Sequence, residues 1–288
     1  MSTSSTTQYA SRSNSDTKSA GNGAARQAGS TPAPERIFYE QPLNERTRIF
    51  MRLEYLFRQA SFHLERASAW DSRATLNCIL EIMDIFGNTN LKSEVLKELE
   101  RHSSNLKRLG QNPAVDAEQL KRLLHNINGQ IDRMHSINGQ IAGELKSSEF
   151  LTSIRQRNAI PGGTCDFDLP AFHYWLQQPP ETRRRDLAGW LDNFDAIGQA
   201  IQLILTMTRD STPLKHAVAR HGLYQRTLDP NLPCQLVRIA LPAGLPVFAE
   251  LSGGRHRFTA RFLQFSAAEE RARQTDRDIE FELACCVI

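Results

Sequence analysis

Polar and apolar side chains alternate along Ser252-Gly-Gly-Arg-His-Arg-Phe-Thr-Ala-Arg-Phe-Leu-Gln-Phe265. His256, Phe258, Ala260 and Phe262 have one parity; Arg255, Arg257, Thr259 and Arg261 have the other. A strand sends successive side chains to opposite faces. This stretch therefore predicts a strand with one apolar face on a core and a row of guanidinium groups on the other, with neighbours roughly 6–7 Å apart. A second alternating run, Asp278-Ile-Glu-Phe-Glu-Leu-Ala-Cys-Cys-Val287, sets Ile279, Phe281, Leu283 and Cys285 against Asp278, Glu280 and Glu282. If the two strands are neighbours, Glu280 and Glu282 pair with Arg257 and Arg261 in an internal ladder. If they are not, the arginines remain open to an acidic partner.

Earlier in the chain the period changes. Arg36-Ile-Phe-Tyr-Glu-Gln41 is rich in β-formers and predicts a short strand ended by Pro42. Asn44 then caps a helix with Ile49, Leu53, Leu56, Ala60 and Leu64 in one stripe. Arg48 and Arg52 lie one turn apart on another face. Asp71 is placed to cap a second helix through Leu76, Ile79, Leu80, Met83 and Phe86. Further helical stripes follow at 91–109 and from Asp116, whose Asp-Ala-Glu-Gln resembles a capping box. His125-Asn-Ile-Asn-Gly-Gln-Ile131 is echoed by His135-Ser-Ile-Asn-Gly-Gln-Ile141. Ten residues of helix place the copies roughly 80° apart, so they share no face and the two histidines form no metal pair. The glycines predict a break between Ser136 and Gly143.

Cys165-Asp-Phe-Asp-Leu169 alternates and predicts a short strand before Pro170 opens the next helix. Two more amphipathic helices run through Leu187–Phe194 and Ile197–Leu205. From His221 onward the pattern is β, with short runs separated by turns. The predicted fold class is α+β: helices first, an antiparallel sheet last, and the early strands at 36–41 and 165–168 joining that sheet. The expected organisation is a disordered tail at 1–34, a mainly helical region at 35–220 and a β region at 221–288. The tail is Ser, Thr, Ala and Gly with few apolar side chains, too little to offset its ordering entropy.

Composition narrows the functional classes. The 288 residues carry a net charge of +3, too small for a general nucleic-acid binder. No apolar run has membrane-spanning length, so a cytoplasmic protein without a membrane partner is expected. The five cysteines show no C-x-x-C spacing and read as reduced thiols. Cys285-Cys-Val-Ile288 has the C-a-a-X form, but the residues before it are acidic and the alternation runs into it, as in a closing strand. There is no Walker loop, GxGxxG or GxSxG. Asp166, Asp168 and His173 assemble no nucleophile, base and oxyanion donor. The chain reads as a binding protein with no enzyme activity, no cofactor and no metal.

Several blocks resemble the ZapD family of bacterial cell-division proteins. They are Phe38-Tyr-Glu-Gln-Pro-Leu-Asn-Glu45 with Arg52-Leu-Glu54; Leu96-Lys-Glu-Leu-Glu100; Arg155-Gln-Arg157 with Ile160-Pro-Gly-Gly163; Phe167-Asp-Leu-Pro170 with His173 and Trp175-Leu176; Ser252-Gly253 with Arg257-Phe258 and Arg261-Phe262; and Phe281-Glu-Leu-Ala-Cys-Cys286. They run in order from Phe38 to Cys286. The resemblance implies a cytoplasmic homodimer at the midcell division ring. It implies binding to the C-terminal tail of FtsZ, the tubulin-like GTPase, and bundling of its filaments. The family's basic pocket maps onto Arg257 and Arg261, with Arg52 and His173 as further members and Arg255 beside them. The rival reading is a nucleic-acid-binding adaptor using Arg255, Arg257 and Arg261. Against it, Phe258 and Phe262 point away from those arginines and leave bases little to stack on.

Overall fold

A computed structural model describes residues 35–288 apart from 89, 114, 138–140, 266–270 and 288. The tail expected at 1–34 lies outside the described residues. The chain opens with strand β1 (Arg36–Pro42). Nine helices follow among the described residues: α1 (Glu45–Leu64), α2 (Ala69–Asn88), α3 (Leu91–Leu109), α4 (Ala117–Ser136), α5 (Gly143–Ser147), α6 (Glu149–Asn158), α7 (Pro170–Leu176), α8 (Pro180–Asp192) and α9 (Asp195–Asp210). Strands β2 (Lys215–Ala219), β3 (Leu223–Thr227), β4 (Cys234–Pro242), β5 (Phe248–Gly253), β6 (Arg257–Gln264), β7 (Arg273–Gln274) and β8 (Ile279–Val287) complete it. This is the α+β order read from the sequence.

Local chemistry sets the helix ends. The Asn44 side chain accepts from Thr47 N at 2.8 Å and starts α1. In α2 the cap is Ser68, whose Oγ accepts from Asp71 N at 3.0 Å and donates to Asp71 Oδ2 at 2.5 Å. Asp71 therefore sits inside the first turn and does not cap it. It also meets His63 Nδ1 at 2.8 Å, tying α2 back to the end of α1. The expected break after Ser136 is present: α4 ends there, and the chain re-enters helix at Gly143 after Ala142 at φ 55°.

Phe50, Leu53, Leu56 and Ala60 of α1 pack with Leu76, Ile79, Ile82 and Met83 of α2 and with Ile197, Ile201 and Ile204 of α9 in one buried cluster. Arg183 of α8 is 5% exposed, and its guanidinium is caged by Ala67 O at 2.7 Å, Leu176 O at 3.1 Å and Ser72 Oγ at 3.0 Å. It satisfies carbonyls left over at loops and helix ends, which are costly to bury without a donor. No helix of the described residues is long and apolar enough to cross a membrane.

The strands form two antiparallel sheets, not the one sheet expected. The first has the order β1-β4-β8-β2; the second has β3-β6-β5, with β7 paired to β6. Val237, Ile239, Leu241, Phe281 and Leu283 of the first sheet meet Ala249, Phe258, Ala260 and Phe262 of the second in a sandwich core. The opposite face of the first sheet buries Leu236, Ala284 and Cys286, against which Met51 and Leu214 pack. This sheet is thus covered on its inner face and, around Leu236 and Cys286, on part of its outer face, where Glu280 and His216 stay exposed.

The early strand at 36–41 joins this sheet, pairing with β4 from Arg36↔Pro242 to Pro42↔Leu236. The strand expected at 165–168 does not exist. Asp168 N and Leu169 N both bond Cys165 O, at 3.2 and 3.1 Å, so these residues are helix-like turns. The short alternation there mimics a strand, but Asp168 spends its carboxylate on local partners, Cys165 Sγ at 3.2 Å and Arg157 at 3.4 Å.

At the junction of helices and sheet, Arg209 of α9 bridges Glu40 of β1 (Nη2–Oε2 2.9 Å) and Glu54 of α1 (Nη1–Oε1 2.6 Å). Arg238 of β4 holds Glu40 from the other side at 2.8 Å. These hydrogen bonds, Glu54 first, raise the Arg209 pKa against the opposing effect of burial.

A buried titratable pair on α3 yields a pH prediction. His102 is deeply buried, and burial pushes its pKa from 6.5 down to about 4, against the pull of Glu98 and with the push of Arg101. Burial also raises the Glu98 carboxyl, but the Arg101 hydrogen bond and the charges of Arg101, Arg46 and His102 outweigh it and hold it low. The unfolded chain takes up a proton at His102 below pH 6.5; the folded chain resists until about 4. Stability is therefore full above 6.5 and falls as pH drops, by about 2–3 kcal/mol at pH 4.5. Urea midpoints at the two pH values measure the loss, and His102→Leu is expected to flatten it. An unchanged slope in that variant assigns the effect elsewhere.

Candidate docking surface

The second sheet displays the arginines. Phe258, Ala260 and Phe262 of β6 are at most 1% exposed. Phe262 meets Phe281 of the facing sheet with ring centroids 5.0 Å apart, and Phe258 meets Tyr224 at 6.0 Å. That buried face fixes the strand's rotation, so Arg257 and Arg261 must point to solvent, and both are exposed. They are four residues apart, roughly 13 Å along the strand, with Thr259 between them.

Arg255 is not in that row. It stands in the turn joining β5 to β6, where Gly254 N bonds Arg257 O at 3.0 Å and Leu228 N bonds His256 O at 2.8 Å. The strand begins at Arg257 because these turn bonds replace ladder pairing. Arg255 and His256 are both exposed. A Cβ on Gly253 would stand 2.7 Å from Phe258 Cβ and 3.1 Å from Leu43 Cδ2. Glycine there lets the hairpin end close against the segment that leads into α1.

The remainder of the outer face follows from register. Leu223, Gln225 and Thr227 of β3 stand opposite Arg261, Thr259 and Arg257. Glu250 and Ser252 of β5 stand opposite Arg261 and Thr259. Beyond Arg261 the same row continues through Leu263 to Phe265, which stacks on Phe248 at 5.1 Å and is 63% exposed. The face thus carries two guanidinium groups beside an aromatic pad. The sequence shows Phe265 at the arginines' parity, yet the pad appears only once β5 brings Phe248 alongside.

The internal ladder does not form. β8 lies in the other sheet, between β4 and β2. Glu282 pairs with Arg36 at 2.8 Å, and Glu280 faces His216 at 3.7 Å. Among the described residues, no carboxylate oxygen lies within 4.0 Å of Arg255, Arg257, Arg261 or Arg52.

Arg52 is exposed on α1, and Leu43 holds the start of that helix against the β5–β6 hairpin. His173 belongs to the helical region, where α7 packs on α2 and α6. Its Nδ1 lies 2.9 Å from Asp166 Oδ1, with both groups exposed. Arg257 and Arg261 are therefore brought together on one face, Arg255 stands at its end, and His173 has an acidic partner of its own. Among the described residues no cluster of three or more His, Cys, Asp or Glu side chains could hold a metal ion.

The sequence reading missed a cleft of about 940 Å³ lined by Phe38, Glu54, Phe57, Asp192, Asp195 and Arg209, among others. Its only trace in the sequence is Arg209 near a helix end.

Comparison with known proteins covers most of the chain. The family model for ZapD, described as a cell division protein, matches residues 51–261. The cell division protein ZapD of Methylococcus capsulatus is 42% identical over 253 residues, covering 88% of this chain and 99% of the relative. That of Chromobacterium violaceum is 36% identical over 250 residues, covering 87% and 99%. That of Nitrosomonas europaea is 35% identical over 250 residues, covering 87% and 95%.

Proposed function

Because this chain belongs to the ZapD family of cell division proteins, we propose that it binds the acidic C-terminal tail of FtsZ and, as a homodimer, cross-links FtsZ filaments at the division ring. The observation that carries the reading is the outward pair Arg257 and Arg261, exposed and with no carboxylate oxygen within 4.0 Å among the described residues, although Glu250 stands opposite Arg261 in register. Guanidinium forks suit carboxylates, and the Phe248–Phe265 pad offers an apolar side chain of the same peptide a place to rest. A tail that orders on binding gives a weak single site. Two sites on a dimer, facing a filament with many tails, gain avidity through effective concentration. Arg52 and Arg255 extend the positive field at the margins; His173 joins it only by exchanging Asp166 for the tail.

Co-sedimentation with FtsZ filaments tests this. Filaments bearing tails are expected to carry the protein down; filaments without them are not. Bundling should weaken sharply between low and physiological salt, where the screening length shrinks to about 8 Å. Equal pelleting without tails, or bundling indifferent to salt, overturns the reading. The nucleic-acid reading gains one feature, the exposed Phe265, but the two flanking rings of β6 face inward. Labelled DNA titrated beside labelled tail peptide separates the two, with tighter DNA binding deciding against FtsZ.

A further inference from the structure

Two thiols meet at the open end of the sandwich. Cys285 of β8 has the inward parity of Phe281 and Leu283, while Cys286 turns to the opposite face. Cys234, at the start of β4, pairs in register with Val287, two residues from Cys285, so both thiols lie on one side of the sheet. The Cys234 thiol itself donates to Leu236 O at 3.4 Å. The β4–β8 register shifts between Cys234 and Leu236. A bulge loosens the ladder there, so the small backbone adjustment that a disulfide needs is local. Both cysteines line a cleft of about 320 Å³, together with Lys215, His216, Tyr224 and Arg226. Asp229 also lines it, so the mouth sets three basic side chains against one carboxylate and is wide enough for a small polar oxidant.

We infer that Cys285 and Cys234 form a reversible oxidation site, with Cys285 the attacking thiolate and Cys234 the resolving thiol, and that its substrate is a hydroperoxide. The neighbouring Cys234 thiol, together with nearby Arg226, lowers the Cys285 pKa to about 7 against burial, while the same pairing and burial raise that of Cys234. Low pKa and access are what distinguish a reactive thiol from an inert one. By contrast, burial raises Cys78 and Cys286, each to about 11.

The chemistry balances. The Cys285 thiolate attacks one peroxide oxygen; an S–O bond forms, the O–O bond breaks, and hydroxide leaves. Sulfur has given up two electrons and is a sulfenic acid. Cys234 passes its proton to the hydroxide, and its sulfur attacks the sulfenic sulfur. The S–S bond forms, the S–O bond breaks, and the departing hydroxide takes up the proton released when Cys285 ionised. For hydrogen peroxide the sum is two thiols and one peroxide giving one disulfide and two waters (an organic hydroperoxide gives an alcohol and one water), and a dithiol reductant reverses it.

The full-length chain treated with stoichiometric hydrogen peroxide is expected to lose two of its five thiols. Peptide mapping then finds 234 linked to 285, and dithiothreitol restores both. Cys234→Ser is expected to stop at the sulfenic acid on 285, which dimedone labels. In the untreated wild-type chain, iodoacetamide at pH 7 should label Cys285 about ten-fold faster than Cys78. That last measurement needs no variant and does not depend on how a serine affects folding. Oxidation that falls on Cys165, no 234–285 peptide, or equal alkylation of Cys285 and Cys78 overturns the proposal. None of these outcomes bears on tail binding, which is read separately by sedimentation.

Discussion

On the proposed function, the double variant Arg257→Ala/Arg261→Ala is expected to keep its fold and to lose filament bundling. Both side chains are exposed with no carboxylate oxygen within 4.0 Å among the described residues, so unfolding free energy should move by no more than about 0.5 kcal/mol. With about 1 kcal/mol for each arginine–carboxylate contact, single-site affinity for the tail peptide falls roughly 30-fold. Two linked sites multiply that loss, which removes bundling at physiological salt. Fluorescence anisotropy with a labelled tail peptide measures the first number and sedimentation the second. Arg→Lys at both positions keeps the charge and loses the fork, and an intermediate affinity is expected. Unchanged peptide affinity in the alanine variant removes this strand from the interface.

Arg209→Ala is expected to produce the largest stability loss of a single side chain at the helix–sheet junction, about 3 kcal/mol. Its guanidinium is 19% exposed and neutralises two carboxylates, Glu40 and Glu54, which are 16% and 19% exposed. Removing one partner of a largely buried pair leaves uncompensated charge. The loss stays at the lower end of that range because Arg238 still holds Glu40 at 2.8 Å. Adding Glu54→Gln to the alanine variant should recover part of it, since the carboxylate then left with only the exposed Arg58 at 3.5 Å disappears. Urea denaturation of the two variants checks both steps. A loss below about 0.5 kcal/mol would place Arg209 among ordinary surface ion pairs.

The face of β6 was legible in the sequence because it is a local property. Alternation at Phe258, Ala260 and Phe262 sets the strand's rotation whatever lies beside it. Strand neighbours are a different matter. β6 and β8 share one period, and nothing within either run says that they belong to opposite sheets. That assignment depends on β4 taking β8 and on β3 and β5 taking β6, contacts tens of residues apart. The internal ladder was lost for this reason. At Cys165–Asp168 the failure was of length: four residues cannot separate period two from a turn whose side chains bond locally. At Ser68 two capping residues lay three apart, and the earlier one took the role because its hydroxyl reaches Asp71 N while Asp71 reaches back. Arg255 shows the same limit at a hairpin end, where parity continues in the sequence after the ladder has stopped.

The arginines stand on the middle strand of their sheet, with β3 bonded along one edge and β5 along the other. In a cross-linker this position governs how tension is borne. A pull along β6 shears the rungs of two ladders together, whereas an edge strand would have only one to hold it. Drifting filaments would then break the arginine–carboxylate contacts long before the sheet tears. A cross-link built as proposed would fail by letting go, with the same molecule ready to grip again.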